Sequence, residues 1–487
     1  MLNSGRGYMY DNRMTLVLHV AQGGTYLEMQ NMSVVREMQK KFVTKTRDFR
    51  GTIKTRKLYR VIGLRLYLPR FGCYRLPDVE FDNMIVAAKP CPELNWENGS
   101  LKPNQRLVVD HIMATSYSPE SVKQGSSGLI LNLEAGQGKT FVAIGLISRL
   151  KRNTLIVVHN TGILAQWVRE IRKAFPAVTI GSLSGSEKSS GPVQVAVINS
   201  LLRPEIAMNN QTNLNARDYF RQFDFVIFDE AHEYCSEGRS HIFSVCQRTY
   251  MLGLSATPDE RLDKQDKVAH WNIGPVLEAR KLPGFSTTEC KFEAQVTRLK
   301  FYGSDEYTQH LINDASDMVS VPKMINQIIE DPDRTTVVLD QVDRLLQHNH
   351  YVFVFADRRS YLEMLGGRLA ERYAEWQTPV YCLLGGASEQ SIVETELNAR
   401  VILTTYQYMG TGKSIPKMDA LVLATPRKSK SKQFIGRIFR LGGNQGVVRR
   451  IVDIVDMRTV LKNQWYERKK YYEEHAIEII EEEVRVE

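Results

Sequence analysis

The string Gly136-Gln137-Gly138-Lys139-Thr140 falls between an apolar run at residues 128–133 and a helix-like stretch at 141–150. That placement constrains the fold more than any other feature of the chain. A largely apolar run of strand length reads as a strand buried on both faces, and such strands belong to parallel sheets joined by helices. Strand, glycine turn and helix in succession also suit a bound phosphate. Glycines at 136 and 138 let backbone N–H groups approach phosphate oxygens, the helix start adds positive potential, Lys139 neutralises the terminal phosphates and Thr140 reaches Mg²⁺. The general pattern wants a glycine where this chain has Leu133. Taken alone, the string is also compatible with a plain glycine-rich turn.

Three more strings follow in order: Asp229-Glu230-Ala231-His232, Ser255-Ala256-Thr257, and Gln433-x-x-Gly436-Arg437-x-x-Arg440. The apolar run at 225–228 ends directly in Asp229 and Glu230, which sets two carboxylates at the tip of a sheet. Asp229 suits the Mg²⁺ shell, whereas Glu230 suits the orientation and deprotonation of an attacking water. An acidic pair in that position also serves as a helix cap. Gln433, Gly436, Arg437 and Arg440 stand three, one and three residues apart, which predicts both arginines on one face of a helix starting near Ser431.

The four strings in this order resemble the motifs of superfamily 2 helicases of the DEAH type. Leu-x-x-Gly-x-Gly-Lys-Thr resembles the phosphate loop of the branch related to the transcription and repair factor helicase, and the Gln433 to Arg440 pattern resembles motif VI, which carries the arginine fingers. The resemblance implies ATP and Mg²⁺ as cofactors, with Gln433, Arg437 and Arg440 acting on a nucleotide held by the other half of the protein. It also implies coupling of hydrolysis through His232, Ser255 and Thr257, although a lone histidine is equally a structural group. Residues 155–158 with Asn160, Gln166 and Trp167 resemble motif Ia, which places Asn160 on a nucleic-acid backbone. Residues 352–359 resemble motif IV. Residues 401–405 leading to Gly410, Gly412, Ile415 and Pro416 resemble motif V, with Thr405 toward nucleic acid and Gly410 and Gly412 in coupling. Ser414 replaces the aspartate that many relatives carry. Leu101-Lys102-Pro103-Asn104-Gln105 resembles the element whose glutamine reads adenine. A polar helix cap is the other reading of Gln105.

The implied fold class is α/β, with two tandem RecA-like parallel-sheet lobes and a small N-terminal accessory domain. The expected domains are a basic accessory domain over 1–95, an ATP-binding lobe over 96–285, a second lobe over 286–465 and a terminal helix over 466–487. The stretch from 271 to 333 is expected to hold the last strand of the first lobe and the connection to the second. With 487 residues, the chain is long enough for two or three sizeable cores. Its six cysteines show no Cys-x-x-Cys pair, so neither a disulfide framework nor a zinc site is expected. No run approaches membrane-spanning length, and a soluble intracellular protein is expected.

Formal net charge is +9, and residues 36–70 hold twelve lysines and arginines against Glu37 and Asp48. Aromatics are interleaved among them, a composition suited to phosphate contacts with base stacking. Lys54, Arg56, Lys57 and Arg60 are the candidate contacts. A solvated basic face is the other reading. Alternation over 58–68 predicts one or two strands, hence a folded accessory domain rather than a tail.

The layout resembles the DNA helicases of large DNA viruses and phages, most of all the poxvirus-type transcript-release helicase, whose Gly-Thr-Gly-x-x-Ile-Pro pattern recurs at 410–416. Splicing-type DEAH helicases carry large domains after motif VI, and DEAD-box enzymes have Asp in place of His232. The resemblance therefore implies an ATP-dependent DNA helicase or translocase, with DNA favoured over RNA as partner, working in viral transcription, replication or repair. An RNA helicase, or an ATPase that remodels nucleoprotein complexes without strand separation, are the alternatives.

Overall fold

The structure is a computed structural model. It describes residues 16–486 except 22–23, 48–51, 75, 77–78, 89, 97–98, 100, 135, 186, 204, 207–213, 260, 262, 287–292, 314–315, 376–377, 411–414, 429–433 and 440–445. Two compact units divide between Phe285 and Ser286, with residues 134–137 grouped with the second.

The first unit opens with β1 (Leu16–Ala21), β2 (Gly24–Glu28), β3 (Val43–Arg47), β4 (Ile53–Lys57), β5 (Arg60–Ile62), β6 (Arg65–Leu68) and β7 (Val79–Asn83). Five of these form a sheet in the order β5-β6-β2-β1-β7, and β3 pairs with β4 as a separate antiparallel ribbon. Helix Met32–Lys41 lays Val35 and Met38 on this sheet, against Leu18, Leu66 and Leu68. The alternation over 58–68 is therefore two strands, β5 and β6, turning at Gly63 and Leu64.

A parallel sheet follows, built from β8 (Gly128–Asn132), β9 (Thr154–Val158), β10 (Ile180–Leu183) and β11 (Val193–Val197), then, after the short hairpin β12 (Glu205–Ile206) and β13 (Leu214–Asn215), from β14 (Phe225–Asp229), β15 (Tyr250–Ser255) and β16 (Val276–Glu278). Its order is β10-β11-β9-β14-β15-β8-β16. All five residues of β9 are buried, Ile156 and Val158 in one core and Leu155 and Val157 in the other. Burial on both faces explains why these strands read as continuous apolar runs. Each such side chain contributes about 1.5–3 kcal/mol of transfer free energy.

The second unit has β17 (Ala294–Tyr302), the hairpin β18 (Ile312–Asn313) and β19 (Ser316–Val319), then β20 (Val352–Ala356), β21 (Val380–Cys382), β22 (Val401–Thr405), β23 (Ala420–Leu423), β24 (Arg449–Asp456) and β25 (Glu478–Arg485). Its seven-stranded parallel sheet runs β21-β22-β20-β23-β24-β17-β25. Here too the faces separate two cores, Phe353 and Phe355 on one side, Val352 and Val354 on the other. The fold is α/β, two RecA-like parallel-sheet lobes in tandem with a small N-terminal β domain.

Two expectations are corrected. Residues 466–487 are not one helix: helix Gln464–Glu474 ends and β25 begins at Glu478. The glutamate-rich stretch favours helix locally, but Glu481 lies 2.6 Å from Arg298 and 2.7 Å from Lys300 on β17, and this cross-strand pairing overrides the local preference. The stretch 271–333 holds more than a connection, since β17 lies inside it and is an interior strand of the second sheet.

Helix Gln464–Glu474 is pinned through charge. Arg468 Nε and Nη2 each donate to Asp453 on β24 at 2.7 Å, and Tyr472 OH donates to the same carboxylate at 2.8 Å, all fully buried. Removing one partner strands the other charge in the core. Asp453→Ala should therefore destabilise the second lobe by about 3–5 kcal/mol, read as a lower urea midpoint. Tyr472→Phe should cost only about 1 kcal/mol.

Candidate functional site

In the first lobe the phosphate-loop string, the carboxylate pair and the Ser-x-Thr string sit at the carboxyl ends of β8, β14 and β15, with β15 paired to both β14 and β8. The carboxyl ends of parallel strands are where open α/β sheets bind ligands. Gly136 and Gly138 both take φ +87°, a left-handed conformation that a side chain would strain. Gly138 caps helix Lys139–Leu150 with no side-chain hydrogen bond of its own. Lys139 Nζ donates to Leu133 O at 3.1 Å, which folds the side chain back over the loop. Thr140 stands in the first turn of the same helix.

Gln105 is 6% exposed, and its Oε1 accepts from Lys102 N at 3.0 Å, closing a helix cap. Its Nε2 lies only 2.2 Å from where a Cβ on Gly138 would stand. The oxygen end of the amide thus serves as the helix cap, while its nitrogen end lies beside the phosphate loop.

Asp229 closes β14. Its Oδ2 accepts from Trp167 Nε1 at 2.9 Å. Burial, then the neighbouring Glu230 charge, raises its pKa above the usual carboxylate range, while Trp167 and the Lys139 ammonium oppose the shift. A carboxylate held at this cost beside a threonine-bearing loop has the oxygen chemistry a hard divalent cation takes, one or two protein oxygens completed by phosphate and water. Thr140 and Asp229 fit Mg²⁺ on that ground. Glu230 adopts φ 52°, ψ 59°, a backbone state that costs a non-glycine residue on the order of 1–2 kcal/mol and that tends to occur at functional sites.

His232 is 6% exposed in the 3-10 turn Ala231–Tyr234. Its Nδ1 lies 3.0 Å from Ser255 Oγ and 3.5 Å from Glu230 Oε2. Ser255 Oγ also accepts from Thr257 N at 3.1 Å, and Ser255 O accepts from Leu133 N at 3.3 Å. A short chain of contacts therefore runs from Glu230 through His232 and Ser255 to the base of the phosphate loop.

Asn160 caps helix Thr161–Ala174 by accepting from Ile163 N at 2.9 Å, so its amide oxygen is committed to the fold. In the second lobe Thr405 ends β22 and its Oγ1 accepts from Tyr408 N at 3.2 Å; Gly410 ends helix Tyr406–Gly410. Arg437 is 4% exposed in the 3-10 turn Gly436–Ile438, which Phe434 and Ile438 anchor in a core with Phe355 and Tyr406. Gly412, Gln433 and Arg440 lie outside the described residues. Over Gly436–Ile438 the expected helix is a short 3-10 turn.

The basic N-terminal segment departs most from its sequence reading. Arg56 does not face solvent: its Nη1 donates to Cys235 O at 2.6 Å, and its Nη2 to Ser236 O at 3.4 Å and to Ser240 Oγ. Arg60 is half-buried, 5.9 Å from the Tyr67 ring. Only Lys54 and Lys57 of the four candidates are exposed.

Sequence reasoning also missed Trp167 as the partner of Asp229. It missed Arg261, whose Nη1 donates to His232 O at 2.6 Å; no local pattern marked Arg261, and Trp167 was marked only as part of the motif Ia resemblance. Among the described residues no group of histidine, cysteine and acidic side chains forms a preset metal cluster. Among them no helix is long and apolar enough to cross a membrane.

A phosphate loop, a carboxylate pair and a Ser-x-Thr segment at the ends of neighbouring parallel strands, in a chain of two RecA-like lobes, define a helicase-type ATPase. Comparison with known proteins narrows the class. Residues 98–260 match the family model described as "Type III restriction enzyme, res subunit". A putative ATP-dependent RNA helicase of African swine fever virus is 28% identical over 416 residues, 81% of this chain and 76% of that protein. A DNA 3'-5' translocase of Sulfurisphaera tokodaii is 32% identical over 203 residues, 41% of this chain and 40% of that one. Among solved structures, Mss116p bound to single-stranded RNA and AMP-PNP superposes with a TM-score of 0.51 at 14% identity, over 80% of this chain and 78% of that one, a likeness of fold. The chain is a nucleic-acid-dependent ATPase of the helicase type, similar over most of its length to putative helicases of large DNA viruses.

Gly138→Ala forces a methyl into the Gln105 amide at φ +87°. It should lower ATP affinity about tenfold or more, an energy of about 1.4 kcal/mol, while helix content is kept. Trp167→Phe should leave metal-free nucleotide binding unchanged but raise the Mg²⁺ concentration that half-saturates turnover, measured by metal titration of the ATPase.

Proposed function

We propose that the chain is a DEAH-type, ATP-dependent DNA helicase or translocase of the kind related to the poxvirus transcript-release helicase. The observation that carries this reading is the contact chain from Glu230 through His232 and Ser255 to Leu133. It joins the carboxylate suited to activating water to the segment suited to sensing the result. In this reading the phosphate loop at Gly136, Gly138 and Lys139 cradles the nucleotide, and Gln105 borders it. Thr140 and Asp229 hold Mg²⁺, which when bound neutralises charge on the phosphate oxygens. Glu230 orients the attacking water, and Arg437 with Gln433 and Arg440 stabilises charge on the transferred phosphoryl group. His232, Ser255, Thr257, Gly410 and Gly412 couple that step to nucleic acid at Thr405, and residues 1–95 serve as the accessory domain.

DNA is favoured by the match to the restriction-enzyme subunit model and by the similarity to a DNA translocase. RNA is the second reading, favoured by the viral relative named as a putative RNA helicase over most of this chain. The deciding measurement is ATPase stimulation by single-stranded, duplex and forked DNA and by RNA; stimulation by RNA alone would replace the DNA reading. A function in viral transcription, replication or repair, inside an infected cell, goes with the same proposal.

Glu230→Gln should bind Mg²⁺ and ATP normally yet lose most turnover, and near-normal hydrolysis would remove Glu230 from its role. Arg437→Ala should keep ATP binding and reduce kcat by about a hundredfold or more, as expected for a charge acting in the transition state. Both are read by steady-state ATPase alongside a nucleotide-binding assay.

A further inference from the structure

The ribbon β3–β4 lies between two different surfaces. Thr44 and Arg56 are register partners, so they project to the same face. Both are spent on the first lobe. Thr44 Oγ1 donates to Gln265 Oε1 at 2.8 Å in a buried contact, and Arg56 grips Cys235 O, Ser236 O and Ser240 Oγ. Strand alternation sends Lys45 and Lys57 to the opposite face, where both are exposed together with Ile53 at 55%. One face is a docking surface and the other is cationic and open.

The docked face touches the ATPase machinery at one place. The carbonyls of Cys235 and Ser236 directly follow the 3-10 turn Ala231–Tyr234, and that of Ser236 also accepts from Ser240 N at 3.0 Å. Arg56 supplies donors to those carbonyls. Arg261 supplies one to His232 O, earlier in the same turn. Thr44 holds Gln265, four residues after Arg261. The ribbon, the turn that bears Glu230 and His232, and the segment that bears Arg261 thus close a loop of hydrogen bonds, with Arg56 as the link between ribbon and turn. A planar guanidinium fork suits this task, since it engages several oxygens at once and keeps its charge at every working pH.

Resting on the proposed function, we infer that Arg56 is a positioning residue. A polynucleotide backbone binds the outer face of the ribbon through Lys45 and Lys57, and Arg56 transmits that engagement to the turn carrying Glu230 and His232. The two faces then have separable effects. Loss of the outer cations weakens binding of the polynucleotide, whereas loss of Arg56 leaves binding intact and uncouples it from hydrolysis.

The test compares wild type, Arg56→Ala, Arg56→Lys and the double variant Lys45→Ala/Lys57→Ala in the full chain. ATPase kcat and KM for ATP are measured with and without saturating oligothymidylate and oligouridylate, and affinity for each is measured by anisotropy across a salt series. The double variant should bind more weakly, its slope of log affinity against log salt flattened by roughly 1.4, the loss expected for two phosphate contacts on a single strand. At saturation its kcat should recover. Arg56→Ala should bind with wild-type affinity and salt slope and keep its KM for ATP, yet lose on the order of fivefold or more of the ratio of stimulated to basal kcat. Arg56→Lys keeps the charge without the fork and should lose the ratio in the same direction. It gives the same readout should the alanine variant fold poorly. An unchanged ratio in both Arg56 variants overturns the inference. So does a flattened salt slope in Arg56→Ala with the ratio intact, which would make Arg56 a backbone contact. If wild type itself is not stimulated by any polynucleotide, the functional reading fails first and takes the inference with it, an outcome distinguishable because it precedes any substitution.

Discussion

A strand buried on both faces has no interior position for a polar side chain, and most of this molecule follows from that exclusion. In β9, β14 and β20 consecutive side chains point alternately into two apolar cores, so groups capable of chemistry are pushed to where the strands stop. Asp229, Ser255, Thr405 and the phosphate loop are all found there. The exceptions are neutral groups such as Gln194 in β11 and Thr404 in β22, and matched charges. Asp453 and Asp456 stand within β24 because Arg468 and Arg334 each meet one of them with two donors. These contacts tie the flanking helices to the sheet at a position that apolar packing alone would leave free to slide.

The irregular turn after β14 poses the opposite difficulty. It has left regular structure and carries backbone carbonyls that neither sheet nor helix satisfies. Arginines brought from distant parts of the chain supply the donors, Arg56 from the N-terminal ribbon and Arg261 from beyond β15. Much of the accessory domain's attachment is of this kind. Arg70, 1% exposed, donates to Gly125 O at 2.6 Å and Arg248 O at 2.5 Å, and Phe42 meets Trp271 edge-on with ring centroids 5.4 Å apart. A segment that looks like a basic surface in composition is, in part, the mortar of the first lobe.

What was legible in the sequence was local. Strand ends, the glycine turn and the order of the motifs depend on neighbours within a few residues, and β8, β9, β14, β20 and β22 stand where apolar runs placed them. The connections that give the candidate site its shape were not legible. Trp167 and Asp229 are 62 residues apart, and Arg56 and Cys235 are 179 apart. No spacing rule reaches across such separations, and a single arginine carries no mark of whether it will meet a phosphate or a carbonyl. The end of the chain misled for a related reason. Glutamates at 478, 481, 482 and 483 carry helix preference, and pairing with a strand formed far upstream, whose Arg298 and Lys300 meet them, makes this an edge strand instead.

That edge strand bears on how the second lobe is assembled. Among the strands of its sheet β17 is the first to leave the ribosome, yet its two neighbours are β24 and β25, and Gln295 waits for a partner 183 residues later at Glu478. Such pairing forms slowly, and an unpaired apolar strand is open to the wrong company in the meantime. The basic residues of β17, Arg298 and Lys300, offer a safeguard during that interval, since like charges on two copies of the nascent strand repel each other until the glutamates of β25 arrive to neutralise them. The basic residues that finish the native edge as ion pairs are thus, until then, the charges that set one early strand against another.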